Sequence, residues 1–215
     1  MPRSSLCPLA FLLFPLALCL AQSTAPPPSL LFSKSFPGSV PAYYDIRVEP
    51  SGKAAYREAP DDDQPLLFDI ASADAAAIFA LAERLQFFQR PLESKLKVAK
   101  MGMKTFRYES GAARGEASFN YSEDLDARAL LDWFERMSET VQHRINLERA
   151  ARFDRLGVNK ALLLLAASWD KNRIVAPQQL LPVLDKIAKG SSYMHMTQAR
   201  AASLAERIRA APAAR

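Results

Sequence analysis

The chain has 215 residues, 49% of them hydrophobic and 24% charged, with a formal net charge of +5. That length suits one domain or two small ones, with an ordinary apolar core. Acidic and basic side chains balance over residues 22–122, so the basic excess falls on later segments where Arg alternates with Asp and Glu. This is a mildly basic helical surface, not a nucleic-acid stripe, and no nucleic-acid partner is expected.

Residues 1–21 hold one basic side chain, Arg3, then an apolar run over 6–20, then Cys19 and Ala21 at the −3 and −1 positions of a cleavage site. This is the pattern of a secretory signal peptide, and it predicts a periplasmic or secreted product cleaved after Ala21. The run falls short of the ~20 apolar residues needed to span a bilayer, and Pro8 and Pro15 interrupt it, so no transmembrane span is expected in the mature chain. A lipoprotein anchored through Cys19 is disfavoured by the bulky Leu18 before it. Cys7 and Cys19 are the only cysteines. The mature chain therefore has no disulfide, no thiolate nucleophile and no cysteine metal ligand.

Residues 22–41 contain Pro26-Pro27-Pro28, Pro37-Gly38 and Pro41, which predict an extended linker. Residues 43–49 alternate, with Tyr44, Ile46 and Val48 on one face, and Pro50-Ser51-Gly52 makes a turn. Residues 53–58 return with Ala54 and Tyr56 inward. The acidic loop Asp61-Asp62-Asp63 follows, then a third strand with Leu66, Phe68 and Ile70 inward. Ser72 is placed to cap a helix whose stripe is Ala75, Ile78, Phe79, Ala82 and Leu85.

Residues 103–121 form two alternating runs around a glycine-containing turn, the signal for a half-buried hairpin. Phe106, Tyr108, Phe119 and Tyr121 share its inner face. After Ser122 the period changes from 2 to 3.6. Leu130, Phe134, Met137, Val141 and Ile145 form one stripe of a long helix from Glu123 or Asp124, whose acidic start suits the helix dipole. Past Ile145 the stripe rotates to Leu147, Ala150, Ala151 and Phe153, so the second half should meet a different partner. Gly157 is a stop, and three shorter helices follow over 158–169, 177–188 and 192–210, with Pro182 bending the middle one or delaying its start.

The fold class predicted is α+β: a five-stranded, mostly antiparallel sheet covered on one face by helices, then an all-helical C-terminal region. The boundaries are a signal peptide over 1–21, a Pro-rich linker over 22–41, a sheet-plus-helix domain over 42–156 and a helical region over 157–210 packed on it. The run Pro41-Ala42-Tyr43-Tyr44, Gly52, Tyr56, Leu66-Leu67-Phe68-Asp69-Ile70 and Gly102-Met103-Lys104-Thr105 resembles small exported bacterial proteins that carry a domain of unknown function. The resemblance covers about residues 36–122. It implies export and a sheet-plus-helix fold, and it carries no catalytic residue across.

No catalytic, cofactor or metal residue is assigned, and no cofactor is expected. His143 and His195 are the only histidines, and neither has a paired-histidine or HExxH spacing. Asp61–Asp63 lacks the spacing of a calcium loop. The candidate ligand or partner surface is the polar sheet face Asp45, Arg47, Arg107, Glu109, Glu116 and Asn120, with Lys97 and Lys104 from a lysine cluster that also holds Lys95 and Lys100. The expected function is a non-catalytic binding or interaction module with an envelope or extracellular protein as partner. The alternative is a hydrolase that gathers a histidine, an acid and a nucleophile in space.

Overall fold

In the computed structural model, residues 27–211 are described. The signal-peptide pattern and both cysteines lie outside them. Six strands form one sheet: β1 (Ser29–Ser35), β2 (Tyr43–Val48), β3 (Lys53–Arg57), β4 (Leu66–Asp69), β5 (Met103–Ser110) and β6 (Ala113–Phe119). The order is β4-β3-β2-β1-β5-β6, and every neighbouring pair is antiparallel. Five α-helices accompany it: α1 (Ser72–Arg84), α2 (Leu125–Phe153), α3 (Val158–Asp170), α4 (Leu181–Lys189) and α5 (His195–Ala210).

The sixth strand corrects the expectation of five. β1 lies inside the segment read as a proline-rich linker, and it is one of the two central strands, bonded to β2 on one side and β5 on the other. Its inward residues Leu30 and Phe32 are buried. The flanking prolines fall just outside the strand, where they break no ladder hydrogen bond.

Two apolar clusters make the core. The first joins Leu30, Phe32, Ile46, Tyr56, Phe106 and Phe119 of the sheet to Ile78 of α1 and Phe134 of α2. Phe32 and Phe134 stack with ring centroids 5.0 Å apart. The second holds Leu162 and Leu165 of α3, Leu184 of α4 and Leu204 of α5, with Leu147 of α2. α2 therefore serves both clusters, and the change of partner falls where its stripe rotates. Phe153 departs from that stripe and is exposed.

Local chemistry sets the helix ends. Asp124 caps α2, its Oδ1 accepting from the N–H groups of Asp126 at 2.9 Å and Ala127 at 3.1 Å. Ser72 does not cap α1: the chain is still extended at Ala71, and Ser72 is already the first helical residue. Pro177–Leu180 is a tight turn that delays the regular start of α4 to Leu181, since a proline in the first turn gives up no helical hydrogen bond. After α1, Gln86, Phe87 and Phe88 take φ of 55°, 48° and 66°, a left-handed turn built without glycine.

Candidate functional site

Of the eight candidate residues, five lie on the outer face of the sheet, Lys104 on the inner one, and Lys97 and Asn120 outside the strands. Asp45, Arg47, Arg107, Glu109 and Glu116 lie on the outer face, where cross-strand register sets Asp45 opposite Arg57 and Arg107 opposite Glu116. There they bond chiefly to one another. Arg107 Nε donates to Glu116 Oε2 at 2.6 Å. Arg47 reaches Ser29 Oγ at 3.1 Å and Glu109 Oε2 at 3.4 Å. Asp45 is not part of an open surface, being 1% exposed. Its carboxylate accepts from Arg57 Nε at 3.0 Å and from the Tyr43 hydroxyl at 2.9 Å. Burial, then the Asp45 hydrogen bond, pushes the Tyr43 phenol up to about 12. Hydrogen-bonding groups already used within the face are poorly placed to take a ligand.

Lys104 and Asn120 do something else. Lys104 is not a solvated member of the lysine cluster: it is 4% exposed and on the inner side of β5. Its Nζ donates to the carbonyls of Asn120 at 2.7 Å and Gly102 at 3.2 Å. Burial, then the charge of Lys34, holds its pKa below the ordinary lysine value. The Asn120 side chain grips the same loop, donating to Ala99 O at 2.9 Å and accepting from Met101 N at 2.7 Å. Together they pin residues 95–101, leaving Lys97 and every other residue of that stretch exposed.

Beside this clamp, between β1, the end of β6 and the first turns of α2, lies a cavity of about 630 Å³. Phe119, Leu125 and Leu131 give its apolar wall, and Lys104, Arg128 and Lys34 its cations. Lys34 Nζ pairs with Glu135 Oε1 at 3.1 Å, and both residues also wall a second cavity of about 310 Å³ further along α2. Asp132, the other carboxylate of the larger cavity, is held by Arg173 Nη1 at 2.6 Å. Arg136 Nε lies 2.9 Å from the same carboxylate but is aimed too poorly to make a hydrogen bond. Among the described residues neither Lys104 nor Arg128 has a carboxylate partner.

Lys34 and Arg128 were not singled out from the sequence. Lys34 had a signal, because it alternates with Leu30 and Phe32. So did Lys104, which alternates with Phe106 and Tyr108. Arg128 had none, since only the fold brings the first turns of α2 over the cavity.

The structure also brings His143 to an acid and a hydroxyl. His143 Nε2 lies 2.9 Å from Ser168 Oγ, and Ser168 Oγ donates to Glu139 Oε1 at 2.6 Å. The order is wrong for nucleophile activation. The carboxylate takes the serine proton directly, and the histidine uses the same ring nitrogen on the serine rather than bridging serine and acid. Ser168 also sits two residues from the end of α3, where free N–H groups are lacking and the helix dipole opposes an oxyanion. Arg173 Nε closes the network on Glu139 Oε2 at 3.0 Å. Burial holds the His143 imidazole below its usual pKa. The arrangement is a tie between α2 and α3. His195, at the start of α5, is exposed and takes no part.

A further cavity of about 700 Å³ between the two cores is walled by Trp133, Trp169 and Arg136. The Arg136 guanidinium lies 4.3 Å from the Trp133 ring centroid, so its charge is already engaged. Among the described residues no group of three or more His, Cys, Asp or Glu could hold a metal ion, and no helix is long and apolar enough to cross a membrane. No protein-family model matches the chain, and no curated protein matches it.

Proposed function

We propose that this chain is an exported, non-catalytic binding module that holds a small amphipathic anion in the cavity beside α2. The observation that carries this reading is the pair of cations, Lys104 and Arg128, without carboxylate partners in a cavity walled by Phe119, Leu125 and Leu131. The backbone carbonyls around Lys104 satisfy its hydrogen bonds but do not cancel its charge. In a partly desolvated site that charge acts over a longer reach than it would in water. The apolar wall favours a hydrocarbon body, and a volume near 630 Å³ is within the usual range for a small-molecule site. In this reading the sheet is a scaffold, covered on one face by α1 and α2 and carrying its self-paired polar ladder on the other. Export rests on the pattern of residues 1–21 and agrees with the resemblance to small exported bacterial proteins. The hydrolase alternative has only the Ser168–His143–Glu139 contact behind it, and that contact runs in the wrong direction.

Decanoate and decylammonium test the proposal by titration calorimetry, because they share a chain and differ in charge. Decanoate is expected to bind and decylammonium not to. Arg128→Gln should weaken decanoate about tenfold, the scale of one charge-assisted hydrogen bond. Equal affinity for the two probes, or an unchanged affinity in Arg128→Gln, would sink the reading. Lys104→Met is a poorer test, since it also opens the loop clamp.

A further inference from the structure

Large apolar side chains stand in solvent around the mouth of this cavity. Val40 is 98% exposed and Leu125 76%, and Phe36, Leu96, Val98 and Met101 are also exposed. They come from three stretches that the fold sets side by side. The loop after β1 touches the loop before β5, because a Cβ on Gly102 would lie 2.8 Å from Phe36 Cβ. The loop before β5 is tied to the entry of α2 by Ser94 N donating to Tyr121 O at 2.8 Å. Met101 and Leu125 line the larger cavity, and Phe36 and Val40 the smaller one that shares Lys34 and Glu135 with it.

The charges at this end are in positive excess. Lys95, Lys97 and Lys100 are exposed, and like Arg128 they have no carboxylate partner among the described residues. Of the carboxylates nearby, Asp124 and Glu135 are paired to cations, whereas Glu93 and Glu123 meet only neutral donors and keep their charge. Glu93 accepts from Asn120 N, Glu123 from Ser94 Oγ, Asp124 from Arg90, and Glu135 from Lys34. The result is a rim of apolar tips with cations in excess: Lys95, Lys97, Lys100 and Arg128 outnumber the two carboxylates, Glu93 and Glu123, that keep their charge.

We propose that this end of the molecule docks on an anionic lipid bilayer. Apolar tips that project singly from loops do not form the flat, close-packed patch of a protein interface. They can be desolvated together by a deformable phase, and lysines beside them reach the phosphate layer. Docking rests on the rim and goes beyond the cavity reading, and it would hold with the cavity empty. If both hold, the bilayer faces the cavity mouth, and an amphipathic anion passes between them without crossing water.

Co-sedimentation with vesicles tests this. The chain should pellet with vesicles containing phosphatidylglycerol and not with pure phosphatidylcholine, and added salt should release it. Replacing Lys95, Lys97 and Lys100 with Gln should weaken binding by about fivefold per lysine. Leu96→Ser with Val98→Ser should weaken it by about tenfold or more, with an unchanged melting temperature because both side chains are exposed. None of these five residues lines either cavity, so decanoate affinity in solution should not move. Wild-type vesicle binding in both variant sets, or equal binding to neutral vesicles, would overturn the proposal. So would lysine-dependent capture of a polyglutamate peptide without vesicle binding, which would assign the rim to an acidic protein. Loss of decanoate binding with vesicle binding intact would sink the cavity reading alone.

Discussion

Gly115 has no side chain because the turn after α1 leaves no room for one. A Cβ built there would run into the carbonyl oxygen of Phe87, the middle residue of the left-handed turn. That conformation costs roughly 1–2 kcal/mol for each residue with a Cβ. It is held by what the turn delivers to the sheet: Phe88 is buried against Phe106 at 5.2 Å between centroids, and Phe87 stacks on Tyr108 at 4.3 Å. Two substitutions should therefore have opposite signs in a urea titration. Gly115→Ala forces the turn off the strand and should cost about 1–3 kcal/mol or more. Gln86→Gly removes only an exposed side chain at a φ of 55° and should gain about 1 kcal/mol. A destabilised Gln86→Gly would mean the turn is not left-handed in solution. The sequence held no sign of the turn's hand, because the usual marker of a left-handed residue is glycine, and here the glycine sits across the contact on β6.

Alternation made most of the strands legible, and it failed where its two signals disagreed. Phe119 and Ser118 are the clear case. Phe119 is buried with its ring 5.2 Å from Phe106, while Ser118 is exposed and shares a 2.8 Å hydrogen bond with Thr105 on the outer face. Phe119→Ala should cost on the order of 3–5 kcal/mol, and Ser118→Ala within about 0.5. Comparable losses in chemical denaturation would put the register of β6 in error. β1 shows the failure. Leu30 and Phe32 alternate inward, but Leu31 adds an apolar residue to the outer face, and prolines crowd both flanks. Composition thus argued for a linker while the short period argued for a strand, and only pairing to β2 and β5 decides between them. The candidate site was legible by halves for a related reason. Charged residues on strands drew attention to the face where they are common, and that face proves to pair internally. The inward lysines, Lys34 and Lys104, carried the same alternation but belonged by type to the surface. A buried lysine is identified by the carbonyls that surround it, and these come from chain positions that sequence spacing does not connect.

At the scale of the whole molecule, two cores share one helix and a connection that crosses between them. α2 gives Leu130, Phe134, Met137 and Val141 to the sheet's cluster and Leu147 to the helical one. The crossing connection is less obvious. Val175 follows α3 in a stretch surrounded by helical elements, yet it is buried in the sheet's cluster, and its N–H donates to Thr140 Oγ1 at 3.0 Å. Arg173, two residues earlier, reaches back to Asp132 and Glu139 on α2, where Ser168 and His143 extend the same network. Removing residues 158–215 therefore does more than expose the second half of α2. It takes Val175 out of the first core, leaves Leu147 without its cluster, and strips the partner from a set of half-buried charges on α2. Losing one partner of such a group is costlier than losing the pair. The fragment ending at Gly157 is expected not to fold alone, and the intact chain to melt in one transition with both tryptophan fluorescence and far-ultraviolet circular dichroism. The competing picture is a C-terminal helical domain hinged near Gly157. Limited proteolysis distinguishes them: a hinge would be cut first and release a stable, cooperatively melting fragment of residues up to about 155, whereas a shared core yields no such fragment before global unfolding.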